Sequence, residues 1–151
     1  MKSNPNAQPL TVLIPVKNER RNIRACIDSV RMVADEILVA DSGSTDGTLE
    51  IVQNMHGVRV IQREYVNDGS FKKWSIPQAK HNWVLSIDAD ERLSPELVDD
   101  INRVLSAGPR CDAYSMPQRN YLLGHPIRFS GWSSRKIRLF RRDVCHPREN
   151  R

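Results

Sequence analysis

Four short, mostly apolar runs punctuate a polar chain: Leu10-Thr11-Val12-Leu13-Ile14-Pro15-Val16, Glu36-Ile37-Leu38-Val39-Ala40, Val58-Arg59-Val60-Ile61-Gln62 and Trp83-Val84-Leu85-Ser86-Ile87. Each is too short for a helix and is bounded by turn-forming or charged residues, so all four are expected to be strands. Pro15 fixes φ and removes a ladder donor, so the first strand should stop near it. Between the runs the spacing changes to three and four. Ile23, Ile27, Val30 and Ala34 mark one helical face, with Asn18 as its expected cap, and Leu49, Val52 and Met55 mark a second. Phe71 to His81 should be mostly helical, with Pro77 in a first turn or at a break. Ser94-Pro95-Glu96 reads as cap, N1 proline and acid. The stripe that follows is Leu97, Ile101, Val104 and Leu105, and Gly108-Pro109 stops it.

Strand and helix alternate four times, which predicts an α/β fold with a largely parallel sheet. From Cys111 the pattern changes. Ala113 to Pro117 and Lys136 to Arg141 look like strands, separated by an irregular stretch carrying Tyr121 and Trp132. Those aromatics either line a pocket for a ring-shaped substrate or pack under a long loop.

With 151 residues, 39% hydrophobic and 27% charged, the chain has the material for one core and one domain. No apolar run nears the roughly 18 residues of a membrane helix, and the polar lead, residues 1–9, lacks a signal-peptide core. A cytoplasmic protein is expected. Cys26, Cys111 and Cys145 are odd in number and form no Cys-x-x-Cys, so reduced thiols are expected, with Cys26 in the core. Charge is uneven: residues 110–151 hold 10 Lys and Arg against 3 Asp and Glu, a net +7, while residues 1–109 hold 13 against 15, a net −2. The basic end is either a solvated tail or a surface for a diphosphate or an anionic membrane. Nucleic acid is not indicated, because no recognised module or row of stacking aromatics accompanies the arginines.

The candidate chemistry lies where the fourth strand ends in Asp88-Ala89-Asp90-Glu91. Ligands of open parallel sheets collect beyond the carboxyl ends of strands. Continued alternation would project Asp88 and Asp90 to one side, where a cation such as Mg²⁺ would relieve their repulsion. Asp41 closes the second strand on the same edge. The turn Ser42-Gly43-Ser44-Thr45-Asp46-Gly47 lacks both the Walker lysine and Gly-x-Gly-x-x-Gly, so it reads as a tight turn with Thr45 or Asp46 capping a helix, not as a phosphate loop.

Four stretches in this order resemble the family-2 glycosyltransferases of the GT-A fold, in particular the lipopolysaccharide core glucosyltransferase branch. They are Val12 to Glu19, Val39 to Thr48, Trp83 to Glu91, and Gly131-Trp132 with Arg138-Leu139-Phe140-Arg141-Arg142. The resemblance implies a Rossmann-like three-layer sandwich, with residues 10–109 as the nucleotide-sugar-binding half and residues 110–151 as an acceptor-side segment. It implies that Pro15, Val16 and Glu19 border the nucleotide, that Asp41 holds a uracil-type base, and that Asp88 and Ala89 lie against the donor. Asp88 and Asp90 would hold Mg²⁺ or Mn²⁺, with Asp90 the direct, catalytic ligand. Arg138, Arg141 or Arg142 would lie near the diphosphate or an anionic acceptor. Members usually continue into a Val-His-Glu-like segment and further helices, whereas this sequence runs to Cys145-His146-Pro147-Arg148-Glu149-Asn150-Arg151. Glu149, with His146 as the alternative, is the candidate for the missing catalytic acid.

The implied activity is metal-dependent, inverting transfer from a UDP-sugar to a glycan or lipid-linked glycan of the cell envelope, at the inner membrane face if the basic end meets lipid. The rival of another class is a catalytically incomplete nucleotide-sugar-binding fragment, or a regulatory partner of a longer enzyme. A nucleotidyltransferase would want a glycine- and arginine-rich first loop, and an Asp-x-Asp phosphatase would carry its motif on the first strand.

Overall fold

The computed structural model describes residues 5–122, 125–126 and 135–145. In chain order the elements are β1 (Leu10–Val16), α1 (Ile23–Val30), β2 (Glu36–Asp41), α2 (Thr48–Gln53), β3 (Val58–Gln62), α3 (Asp68–Ser75), a 3₁₀ turn (Ile76–Gln78), β4 (Trp83–Ser86), α4 (Pro95–Ala107), β5 (Ala113–Pro117), β6 (Tyr121–Leu122), β7 (His125–Pro126) and β8 (Arg135–Arg141). Six strands form one sheet in the order β3-β2-β1-β4-β8-β5, and β6 and β7 pair separately. The first four neighbours run parallel. β8 runs antiparallel to both β4 and β5.

Period-two alternation sorts the strand side chains into two cores. Val12, Ile14, Val39, Leu85 and Leu139 face a layer built from Ile23 and Ile27 of α1, Val52 of α2, and Ile101 and Leu105 of α4. Leu13, Leu38, Val84 and Phe140 face the other way, onto Phe71 of α3 and Ile76. The result is a helix–sheet–helix sandwich. Strand β8 belongs to it through Leu139 (1% exposed) and Phe140 (6%), so residues 135–141 are not a solvated tail.

Two local expectations are corrected. The third helix begins three residues earlier than expected, because the Asn67 side chain accepts from the Ser70 amide at 2.8 Å and caps it. Pro77 falls in the 3₁₀ turn, where the helix breaks. Asn18 does not cap α1: that helix starts at Ile23 behind Asn22, and Asn18 sits at φ 55°, a left-handed conformation that asparagine tolerates better than most residues. Ser94 and Pro95 do start α4, the serine accepting from the Leu97 amide at 3.3 Å. Among the described residues no helix is long and apolar enough to cross a membrane.

Candidate functional site

The carboxyl ends of β2, β1 and β4 lie side by side, and the loops leaving them are cross-linked to one another. Between the loops after β1 and β2 the bonds run in both directions. The Asn18 amide donates to Ser44 Oγ (2.9 Å), and the Thr45 amide donates to Asn18 Oδ1 (2.8 Å). The Glu19 amide donates to Thr48 Oγ1 (2.9 Å), and the Arg20 amide donates to Asp46 (3.1 Å). Thr48, fully buried, donates its own hydroxyl to Asp46 Oδ1 (2.5 Å). That bond, more than any other, holds the Asp46 carboxyl below its ordinary range. Asp46 also accepts from the Thr48 amide at 3.0 Å, but the N-cap of α2 is Gly47, so neither Thr45 nor Asp46 takes the expected cap position, and Thr45 ties the loops together. Gly47 has φ 96°, and a Cβ there would sit 3.6 Å from the Arg20 side chain.

Asp41 anchors this clasp from inside. It is 1% exposed, and its carboxylate accepts from the Gly43 amide (3.0 Å) and the Ser44 amide (3.2 Å). Pro15 and Val16 end β1 beside it, the Val16 carbonyl accepting from the Ser42 amide and hydroxyl. The Glu19 carboxylate accepts from the Asn22 side chain at 2.9 Å. In front of these loops lies a cavity of about 480 Å³ lined by Asn18, Glu19, Arg20, Arg21, Asn22 and Asp46. Its two arginines were missed from the sequence because a net charge of −2 over residues 1–109 hides them.

Beyond Ser86 the chain turns, and the expected alternation of Asp88, Ala89 and Asp90 does not hold. The Glu91 amide donates to the Asp88 carbonyl (2.9 Å), and the Asp88 amide donates to Glu91 Oε2 (3.0 Å). Ala89 is 4% exposed, with its methyl in the core, so its side chain offers a ligand no contact. The cation against the acids is Arg138. Its Nη2 donates to Asp88 Oδ2 (3.1 Å) and Glu91 Oε1 (2.5 Å), and the same Glu91 oxygen accepts from Gln118 (3.0 Å). Asp90 is exposed and makes no hydrogen bond or ion pair among the described residues. Beneath the turn Cys26 Sγ lies 3.6 Å from the Asp88 carbonyl oxygen, and burial pushes its thiol up to about 12.

Of Arg138, Arg141 and Arg142, any of which was expected near the diphosphate or an anionic acceptor, only Arg138 is at this edge. Arg141 lies opposite Trp83, at the start of β4, and pairs with Asp112 and Asp143. Arg142 donates to the Pro77 and Ala79 carbonyls on that same far side. Antiparallel β8 carries residues three apart to opposite ends of the sheet. Gly131, Trp132, His146 and Glu149 lie outside the described residues.

No group of three or more His, Cys, Asp or Glu side chains converges among the described residues. Asp88 is shared with Arg138, and Asp90 is open. This donor set fits an ion that takes one or two protein carboxylates and draws its other ligands from water and phosphate, as Mg²⁺ does; it is not an all-protein cage.

The profile of Glycosyl transferase family 2 matches residues 11–146, from β1 to just past β8. The chain belongs to glycosyltransferase family 2. This family-2 chain is 32% identical over 139 residues to LpsC, a lipopolysaccharide core biosynthesis glycosyltransferase of Rhizobium meliloti (strain 1021), covering 89% of the chain and 51% of LpsC. It is 36% identical over 116 residues to an uncharacterized glycosyltransferase of Rickettsia bellii (strain RML369-C), covering 77% of the chain and 39% of that protein. The chain therefore spans about half, or less, of these relatives. S. aureus TarS 1–349 in complex with UDP superposes with a TM-score of 0.61 at 22% identity, over 89% of this chain and 47% of that one, a likeness of fold. Mannosyltransferase PcManGT from Pyrobaculum calidifontis, in complex with GDP-Man and Mn²⁺, gives 0.57 at 26% identity, over 73% of this chain and 36% of its own. The α/β architecture is that of the GT-A glycosyltransferases.

Proposed function

We propose that this chain forms the donor-binding part of a metal-dependent, inverting glycosyltransferase that takes a UDP-sugar and glycosylates a cell-envelope glycan or lipid-linked glycan. The observation that carries the reading is the convergence of the loop clasp, the Asp88–Asp90 turn and Arg138 on one edge of a parallel sheet, in a family-2 chain. Within it, Pro15, Val16 and Glu19 border the nucleotide. Asp41 reaches a base only through lone pairs that its turn leaves free, so its first role is to hold residues 42–47 as a wall. Residues 10–109 serve the donor, while 110–151 serve the acceptor and any anionic membrane surface, apart from β8, which also completes the sheet and brings Arg138 to the acids. Asp90, with Asp88 behind it, would hold Mg²⁺ or Mn²⁺, which would supply Lewis-acid stabilisation of the charge that builds on the departing diphosphate. The acceptor oxygen bonds to the anomeric carbon from the face opposite the breaking sugar–phosphate bond. Its proton goes to a general base, for which Glu149 is the candidate.

Calorimetric titration of UDP with and without Mn²⁺ tests this directly. Wild type should bind only with metal, and Asp90→Asn should lose at least about tenfold in affinity, a change of about 1.4 kcal/mol. Equal affinity for the two proteins at saturating metal refutes the assignment. UDP binding without transfer from any of a panel of UDP-sugars favours the incomplete-fragment reading.

A further inference from the structure

We infer that Glu91, with Gln118 as its support, is the positioning residue of the acidic turn: it holds Asp88 against Arg138 and leaves Asp90 as the carboxylate presented to a divalent ion. The inference rests on the donor-site reading above and adds a residue that neither the motif spacing nor the family likeness assigns. Three bonds converge on one carboxylate. Oε2 accepts from the Asp88 amide (3.0 Å), while Oε1 accepts from Arg138 (2.5 Å) and from Gln118 Nε2 (3.0 Å). The Glu91 amide closes the same turn on the Asp88 carbonyl (2.9 Å).

The side chain is 17% exposed and Arg138 14%, so this contact is held in a low-dielectric place. Asp88 is 47% exposed and Asp90 exposed, so the two residues of the motif face water while the third acid is turned inward to hold them. The partners come from three parts of the fold: the exit of β4, strand β8 and the residue after β5. The carboxylate therefore fixes the acidic turn to the two antiparallel strands. Without it Arg138 would have only Asp88 as an acidic partner, and the turn would lose the acceptor for its first amide. Groups that orient a metal's own ligands typically change metal affinity by about 10–100-fold when removed.

The test uses the full chain with Glu91→Ala, Glu91→Gln and Gln118→Ala. Two quantities are measured: the Mn²⁺ concentration giving half-maximal UDP binding, and hydrogen exchange over residues 87–92 without ligand. Glu91→Ala should raise the half-saturating Mn²⁺ about tenfold or more and speed exchange of the Asp88 amide. Gln118→Ala should move both less. Glu91→Gln keeps an oxygen for the Asp88 amide but not the charge for Arg138, so it should leave exchange near wild type and still shift the Mn²⁺ requirement. That separation is one a purely structural role would not produce. Should Glu91→Ala not fold, the Gln variant decides by the same shift. Wild-type half-saturation in Glu91→Gln together with wild-type exchange in a folded Glu91→Ala overturns the inference. If wild type itself binds no UDP with Mn²⁺, the donor-site reading fails. Exchange then decides the holding role, which faster exchange in Glu91→Ala supports and unchanged exchange overturns.

Discussion

Thr48 separates packing from hydrogen bonding at the loop clasp. Replacement by Val preserves shape and apolar area, so if Thr48 matters only as a core residue, Thr48→Val should be harmless and Thr48→Ser, which loses a methyl, should be the worse variant. The clasp predicts the reverse order. In Thr48→Val the Glu19 amide loses its acceptor beside a fully buried side chain, and an unsatisfied buried donor costs about 1–3 kcal/mol. For a chain of this size each kcal/mol lowers the unfolding midpoint by about 2–4 °C, giving a drop of about 2–12 °C. Thr48→Ser keeps both bonds and should cost only about 1 kcal/mol for the missing methyl.

The same hydroxyl holds the Asp46 carboxyl below its ordinary 3.8. A depressed folded value contributes stability that is present above pH 3.8 and lost as the pH falls through the lowered value. The gap between wild type and Thr48→Val should therefore narrow at the acid end. Thermal unfolding of the three proteins at neutral pH and near pH 3 reads both effects, and calorimetry reads UDP affinity, which should follow the same order because the clasp is one wall of the cavity. A Val variant as stable as wild type and more stable than the Ser variant refutes the reasoning.

Arg138→Met leaves Glu91 largely buried without its cation. Because Asp88 is half-exposed, the cost should fall below the roughly 3–5 kcal/mol of a fully buried pair, at about 2 kcal/mol, seen as a lower urea midpoint together with weaker UDP binding. Arg142→Ala, at the opposite edge, should leave UDP affinity within error of wild type, and a tenfold loss would show that the edge assignment is wrong. For Cys26, a thiol raised from 9.0 to about 12 carries about a thousandfold less thiolate at pH 8. A thiol reagent at pH 8 should therefore modify exposed Cys111 first and reach Cys26 only on unfolding, as mass spectrometry of timed aliquots would show.

The parts of the fold legible in the sequence were those set by local spacing. Alternating Val12, Leu13 and Ile14 sort to opposite layers because a strand has period two, and Ser94-Pro95 starts α4 because cap chemistry acts within four residues. Apart from the Asn67 cap that starts α3 early, which is local, the larger misses involve partners far apart in the chain. Asn18 looks like a helix cap until Ser44 and Thr45, some 26 residues on, are brought against it. Extending the strand's alternation through Asp88 and Asp90 ignored Glu91 and Arg138, whose contacts bend the chain after Ser86. Choosing among Arg138, Arg141 and Arg142 required knowing that β8 runs antiparallel to β4, which no residue within β8 announces.

The charge arrangement explains why the two acids of one short motif need not share a task. Asp88, Asp90 and Glu91 bring three negative charges to the turn. Arg138 holds two of them, while Arg92 is bonded to the Ala89 and Glu91 carbonyls beside them. The acid left without a partner is Asp90, the most exposed of the three. A nucleoside diphosphate entering this edge adds negative charge that the turn cannot balance, because Arg138 is already committed to Asp88 and Glu91. On the proposed reading, a divalent ion held by Asp90 would meet that shortfall while Arg138 keeps its contacts. On this account Asp88 acts mainly by fixing Arg138, and Asp90 acts on the ligand. Asp88→Asn should then lower stability and metal-supported UDP affinity together, whereas Asp90→Asn should lower that affinity alone. Parallel unfolding and UDP titrations on the two variants would expose any failure of that split.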